Sequence, residues 1–268
     1  MSFNRVVVSI IIPCYNHGAY IQEAISSIEQ NAGDLAYEII IVDDGSTDEL
    51  TKTKIKELAT QKYKVIQQPN AGLAAARNNG IALAKGKYIL PLDSDNRLHA
   101  NYLTKAVAIL DDDSSIDVVY GNSVFFGEND GVRNVGNNYV GEFDFNRMVD
   151  CNYIDACAIY KKSMWEKAGG YDGNMPAMGH EDWELWVNMF LLGGRFYFLD
   201  ELCFYYRVTI GSMLVTNVDN KHELNKEYIY KKHSYKIVSH LLHDSNKFNY
   251  INKHKAKAIV KLLLGRGL

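Results

Sequence analysis

Tyr88-Ile89-Leu90-Pro91-Leu92-Asp93-Ser94-Asp95-Asn96 is the stretch on which the reading of this chain turns. An apolar run feeds into two carboxylates one residue apart. The run has the composition of a strand buried on both faces. If the strand conformation persists through the aspartates, positions i and i+2 point to one side, and Asp93 and Asp95 aim at a single point. Alone, this D-S-D-N pattern is also ordinary turn chemistry. It gains weight because other segments end the same way.

Val6-Val7-Val8-Ser9-Ile10-Ile11-Ile12 is β-branched and nearly all apolar, and Pro13-Cys14-Tyr15-Asn16-His17-Gly18 breaks it. Glu38-Ile39-Ile40-Ile41-Val42 is a second such strand, ended by Asp43-Asp44-Gly45-Ser46. Residues 64–67 and 117–120 read as further strands. Between them lie helical faces. Ile21, Ala24, Ile25 and Ile28 recur at helical spacing, as do Leu103, Ala106, Val107 and Leu110. Residues 73–84 form an alanine-rich helix after the turn Asn70-Ala71-Gly72. Ser46 and Glu49 have capping-box spacing before a helix with Leu50, Ile55 and Leu58. Strands alternating with helices predict an α/β fold, with a mostly parallel central sheet flanked by helices. Ligands bind such sheets at the carboxyl ends of the strands. Tyr15-Asn16, Asp43-Asp44 and Asp93/Asp95 all fall on that edge, which argues for one shared site.

The second half is less regular. Residues 123–126, 153–160, 195–199 and 203–208 read as strands, and 163–168 as a short helix. Glu181-Asp182 opens a helix carrying Trp183, Trp186, Val187 and Phe190. The net charge of -3 hides an asymmetry. Residues 1–220 carry 18 Lys+Arg against 29 Asp+Glu, whereas 221–268 carry 11 against 3. We therefore divide the chain into a main domain, 1–218, with halves meeting near 120 and 121, and a basic tail, 219–268, of two helices. The tail's apolar stripes beside lysines fit an anionic membrane surface, a solvated appendage or an oligomer contact. Nucleic acid fits poorly with the acidity of the rest. Cys14, Cys151, Cys157 and Cys203 form no C-x-x-C pair and read as free thiols. No signal peptide or span of about 20 apolar residues is visible. The expected location is cytoplasmic, with the inner face of a membrane within reach of the tail.

The motifs permit specific chemistry. Mg²⁺ and Mn²⁺ are held by one or two carboxylates together with waters and substrate phosphates, which suits Asp93 and Asp95. Asp44 can accept from a nucleobase or ribose, and Arg77 can face phosphate or the carboxylates. Glu181-Asp182 is the candidate for acid–base work, although a carboxylate at a helix N-terminus is also plain stabilisation. A nicotinamide enzyme would need G-x-G-x-x-G after the first strand. A nucleotidyltransferase would need a basic glycine-rich loop there. An aspartyl-phosphate phosphatase would carry its aspartates after the first strand. None of these patterns is present.

Five segments in order resemble the family 2 glycosyltransferases of the GT-A fold. They are residues 8–16, 38–48, 70–78, 92–95 and 179–186, within a match of roughly 6–210. The resemblance implies an inverting transferase that moves a sugar from a nucleotide-sugar donor, uridine being the usual base, to a hydroxyl of a glycan or lipid-linked acceptor. Polysaccharide or cell-surface glycan synthesis is the implied setting, and an inactive binding module of the same fold is the alternative. It places Pro13, Tyr15 and Asp44 around the nucleobase and Asp93 by the ribose, with Asn16, Asn70, Gly72, Arg77 and Ser94 in the same nucleotide site. Asp95, with Asp93, would hold Mn²⁺ or Mg²⁺ on the diphosphate. Asp182 would be the general base, with Glu181 and Trp183 on the acceptor. Tyr206-Arg207 and Ser212 resemble a segment that closes over the site.

Overall fold

The computed structural model describes residues 6–127, 136–209 and 221–243, together with Lys257 and Val260. Strand β1 (Val8–Cys14) is buried along its whole length, and the sheet grows outward from it. It pairs in parallel with β2 (Tyr37–Asp43) on one side and β4 (Tyr88–Pro91) on the other, and β2 pairs in parallel with β3 (Lys64–Gln67). β5 (Arg97–Leu98), β6 (Val118–Gly127), β7 (Gly136–Asn138), β8 (Ile159–Lys161) and β9 (Phe196–Val208) complete it. The order is β3-β2-β1-β4-β8-β6-β9-β5, with β7 on β6. β8 runs antiparallel to both β4 and β6, while β9 runs parallel to β6.

Alternation along the buried strands divides the core. Ile10, Ile12, Ile41 and Leu90 point into one layer, with α1 (Ile21–Asn31) and α4 (Tyr102–Asp112). Ile11, Ile40, Val42 and Ile89 point into the other, with Trp183 and Trp186 of α7 (Glu181–Leu191). The remaining helices are α2 (Glu49–Ala59), α3 (Leu73–Ala82), α5 (Phe145–Asp150), α6 (Lys162–Ala168) and α8 (Lys221–His243). Helix α3 lies close on β1: a Cβ on Gly80 would stand 2.6 Å from Ile11 Cγ2 and 3.0 Å from Val42 Cγ2. This fits a strand buried on both sides, because only a small residue lets the helix approach.

The structure corrects several local expectations. Residues 117–120 and 123–126 belong to one strand, β6, and 195–199 and 203–208 to one strand, β9. Their pairing shifts register between Gly121 and Ser123, where the exposed Asp200-Glu201 of β9 imitates a loop in sequence. Of residues 153–160 only the end is strand; the earlier part is buried without joining the ladder. The capping box is not made. Asp48 caps α2 by accepting from Thr51 N at 2.8 Å, while Ser46 Oγ accepts from Asn16 N at 3.0 Å.

Helix α8 starts at the charge boundary but shares the core of the chain before it. Ile229, Tyr230, Ile237 and Leu241 join the layer containing Trp183 and Trp186. The change in charge near residue 220 is thus not a packing boundary over this helix. The expected second tail helix and Ser212 lie outside the described residues.

Candidate active site

The carboxyl ends of β1, β2 and β4 are tied together by hydrogen bonds. Asp44 N donates to Cys14 O at 2.9 Å. Asn16, held at φ 57°, accepts through Oδ1 from Thr47 N at 2.8 Å and Asp48 N at 3.2 Å. Ser94 Oγ lies 3.3 Å from His17 Nδ1. Asp44 is buried and accepts from Gln68 Nε2 at 2.8 Å, Ala71 N at 2.8 Å and Gly72 N at 2.9 Å. Its carboxylate therefore builds the Asn70-Ala71-Gly72 turn that leads into α3. Tyr15 stands 44% exposed beside this cluster, and Pro13 is buried within β1.

β4 ends at Pro91, so strand alternation does not reach the aspartates. They sit on a turn closed by Asn96 N to Asp93 O at 2.9 Å. Two cations fix this turn. Arg77, only 2% exposed, reaches from α3 to Asp93 Oδ1 at 2.7 Å, with its guanidinium 5.4 Å from the Tyr171 ring. Arg207 donates from Nε to Asp95 O at 2.9 Å and from its backbone to Asn96 Oδ1 at 2.9 Å. Burial, and then the charge of Asp93, push the Asp95 carboxyl up to about 6. Two adjoining carboxylates with that mutual repulsion suit a hard divalent cation. Among the described residues Asp95 makes no side-chain ion pair, and Asp93 has one oxygen on Arg77. Among the described residues no group of three or more His, Cys, Asp and Glu forms a metal cage. The donor set therefore fits an ion shared with a phosphate ligand, not a fully protein-ligated one.

A cavity of about 460 Å³ adjoins this turn. Arg77, Asp93, Glu181 and Asp182, four of the candidate residues, line it, and so does Tyr206. Asp182 opens α7, where its Oδ1 accepts from Trp183 N at 2.9 Å. Burial pushes its carboxyl up to about 6, against the pull of Arg77 and a hydrogen bond from Asn152. Such a group is ionised at neutral pH yet basic enough to take a proton. Glu181 accepts from Gly179 N at 3.1 Å on both oxygens.

Trp183 does not fit the acceptor role. It is fully buried, its indole N–H donates to Met148 O at 2.5 Å, and His222 stacks on its ring at 4.9 Å. It anchors α7 in the core. Sequence reasoning missed Arg147, Asn152, Tyr153, Asp155, His180 and His222, which also line the cavity. Asp155 carried a signal: it is a lone charge inside the apolar run Tyr153-Ile154-Asp155-Ala156. Burial, then Asp93 and Asp182, push it up to about 7.

The comparisons with known proteins agree with this architecture. The model of glycosyl transferase family 2 matches residues 9–169. Glycosyltransferase GlyG of Streptococcus pneumoniae is 27% identical over 80% of this chain and 74% of its own length. The chondroitin synthase and hyaluronan synthase of Pasteurella multocida are 26% and 28% identical over 91% and 89% of this chain. The match spans only 24% and 23% of those two synthases. Among solved structures, S. aureus TarS 1-349 in complex with UDP-GlcNAc superimposes with a TM-score of 0.70 at 22% identity, over 90% of this chain and 69% of that one. No described helix is long and apolar enough to cross a membrane. With the family model covering more than half of its length, and the strand-end cluster lying inside that match, the chain belongs to glycosyl transferase family 2 and is a glycosyltransferase of the GT-A fold.

Proposed function

We propose that this chain is an inverting transferase that moves a sugar from a UDP-sugar to a hydroxyl of a glycan or lipid-linked acceptor. The observation that carries the reading is the placement of Asp182, buried and poised near pH 6, in the cavity that also holds Arg77 and Asp93. Asp182 takes the proton of the acceptor hydroxyl as that oxygen attacks the anomeric carbon, and direct displacement inverts the centre. Glu181 and Asn152 hold Asp182 and the acceptor in place. The nucleobase lies by Tyr15 and the Asp44-organised turn, with Pro13, Asn16, Asn70 and Gly72 around it. Ser94 supports the aspartate turn through His17, and Asp93, held by Arg77, faces the ribose. Asp95, with Asp93, would hold Mn²⁺ or Mg²⁺, which when bound neutralises charge on the departing nucleoside diphosphate.

The complexes of the TarS neighbours with UDP and UDP-GlcNAc support a uridine donor. The synthases among the relatives support assembly of a polysaccharide or surface glycan. The exposed Lys221, Lys231, Tyr235 and Lys236 of α8 support docking at the inner face of an anionic membrane. Release of UDP from UDP-GlcNAc and other UDP-hexoses, measured with Mn²⁺ in parent and D182N, tests the proposal. Transfer by D182N at the parental rate would refute the role of Asp182.

A further inference from the structure

Asn225 of α8 is fully buried, and its bonds leave little freedom. Its Oδ1 accepts from Ala177 N at 3.0 Å, and its Nδ2 donates to Ala177 O at 2.9 Å. Because Ala177 N can only donate, the orientation of the amide is settled. One Nδ2 hydrogen remains, and His180 Nδ1 lies 3.1 Å away. That ring nitrogen must therefore accept. A neutral imidazole accepting at Nδ1 carries its proton on Nε2. Burial, and then His222, hold the His180 pKa down to about 4, so the ring stays neutral.

His180 lines the cavity two residues before Asp182, and its Nε2 has no hydrogen-bond partner among the described residues. The surrounding chemistry defines what that N–H meets. Asp93, Asp155, Glu181 and Asp182 all line the same cavity and offer acceptors. Arg77 gives one guanidinium N–H to Asp93 and Arg147 gives one to Val140 O, while Arg77 Nε is a buried donor without a partner among the described residues. A pyranose hydroxyl that gives its proton to a carboxylate still has a lone pair to satisfy, as does the hydroxyl beside it.

We propose that His180 binds the acceptor sugar by donating Nε2–H to a hydroxyl oxygen beside Asp182, and that Asn225 is the positioning residue that fixes this tautomer. The assignment rests on Asp182 being the base. It makes the start of α8, which lies beyond the 9–169 family match, part of the acceptor site. The ligand class is an uncharged pyranose presenting neighbouring hydroxyls.

Two measurements test it. In histidine-labelled protein, the ¹⁵N signals of His180 should report protonated Nε2 and bare Nδ1 in the parent, and N225D should move the proton to Nδ1. A parent protonated at Nδ1 would overturn the proposal. The second measurement is UDP release from UDP-GlcNAc with methyl glycosides of the common hexoses as acceptors, set against slow release to water. H180L should raise the acceptor KM roughly tenfold, with UDP binding retained. Gln can donate from the place of Nε2, and H180Q should recover most of that loss. N225D should follow H180L while still binding UDP, which shows that it is folded. An acceptor KM unmoved in H180L, or H180Q no better than H180L, would overturn the proposal. Parent protein that releases no UDP from any donor would instead refute the enzymatic reading of Asp182, and the ¹⁵N signals would then decide the His180–Asn225 arrangement alone.

Discussion

Replacing Asp182 with asparagine should abolish transfer and at the same time stabilise the protein, by an amount that depends on pH. The side chain is 8% exposed, and burial raises its pKa from the ordinary 3.8 to about 6. Keeping that carboxylate ionised in the folded state at pH 7 and above costs about 3 kcal/mol. Below about pH 4 the group is neutral in both folded and unfolded chains, and the cost vanishes. A carboxyl with a raised folded pKa is thus most favourable in acid, and that advantage is lost as pH rises through 6. Asparagine removes the titration and keeps the acceptor for Trp183 N. D182N should therefore melt above the parent at pH 8, by about 5–10 °C for a chain of this size. The two should converge near pH 4. In the parent, kcat/KM should fall about tenfold per pH unit below 6 as the base protonates. Melting scans of both proteins from pH 4 to 8, beside UDP release, give the comparison. A D182N midpoint at or below the parent at pH 8 would refute the reasoning that Asp182 is held ionised against its surroundings for function.

Three further outcomes follow from the geometry. D95N should lose the part of UDP affinity that Mn²⁺ adds, by more than about tenfold, with metal-free UDP binding retained; calorimetry with and without Mn²⁺ reads this directly. G80A should destabilise by about 1–2 kcal/mol in denaturant unfolding, because a Cβ 2.6 Å from Ile11 Cγ2 crowds a packed core by more than the gain in helix propensity returns. H233A removes the 2.6 Å bond to the fully buried Glu184 and should cost about 1–3 kcal/mol, whereas the double variant E184L/H233L should recover much of it, since Lys232, the other partner of Glu184, keeps Asp172 at 2.7 Å.

The first half of the chain was legible because its signals are local. β1, β2 and β4 are continuous apolar runs that stop at polar turns, and a parallel sheet brings those stops to one edge. What the runs could not show is how the polar ends are used. Asp44 looked free for a ligand and has three donors on it. Asp93 and Asp95 seemed aligned by strand geometry and are gathered by a turn that Arg77 and Arg207 fix from 16 and 112 residues away. The second half was harder because its cavity wall, from Asn152 to Ala156, is wholly or partly buried without regular structure, and no period marks it.

The tail misled for a different reason, and that reason bears on function. The inward stripe of α8 is Asn225, Ile229, His233, Ile237 and Leu241, all buried at intervals of four. Read for hydrophobicity, the two polar members break the stripe and the surrounding lysines suggest a separate basic unit. Yet those two residues carry the specific contacts: Asn225 to Ala177 and His180, and His233 to Glu184. Each of these partners lies on α7 or on the segment that leads into it, within five residues of Asp182. An all-apolar stripe would have buried as well without fixing where α7 begins. Polar bonds at the start and the middle of the stripe set its register, so the feature that hid this helix in the sequence is the one that couples it to Asp182, the proposed base.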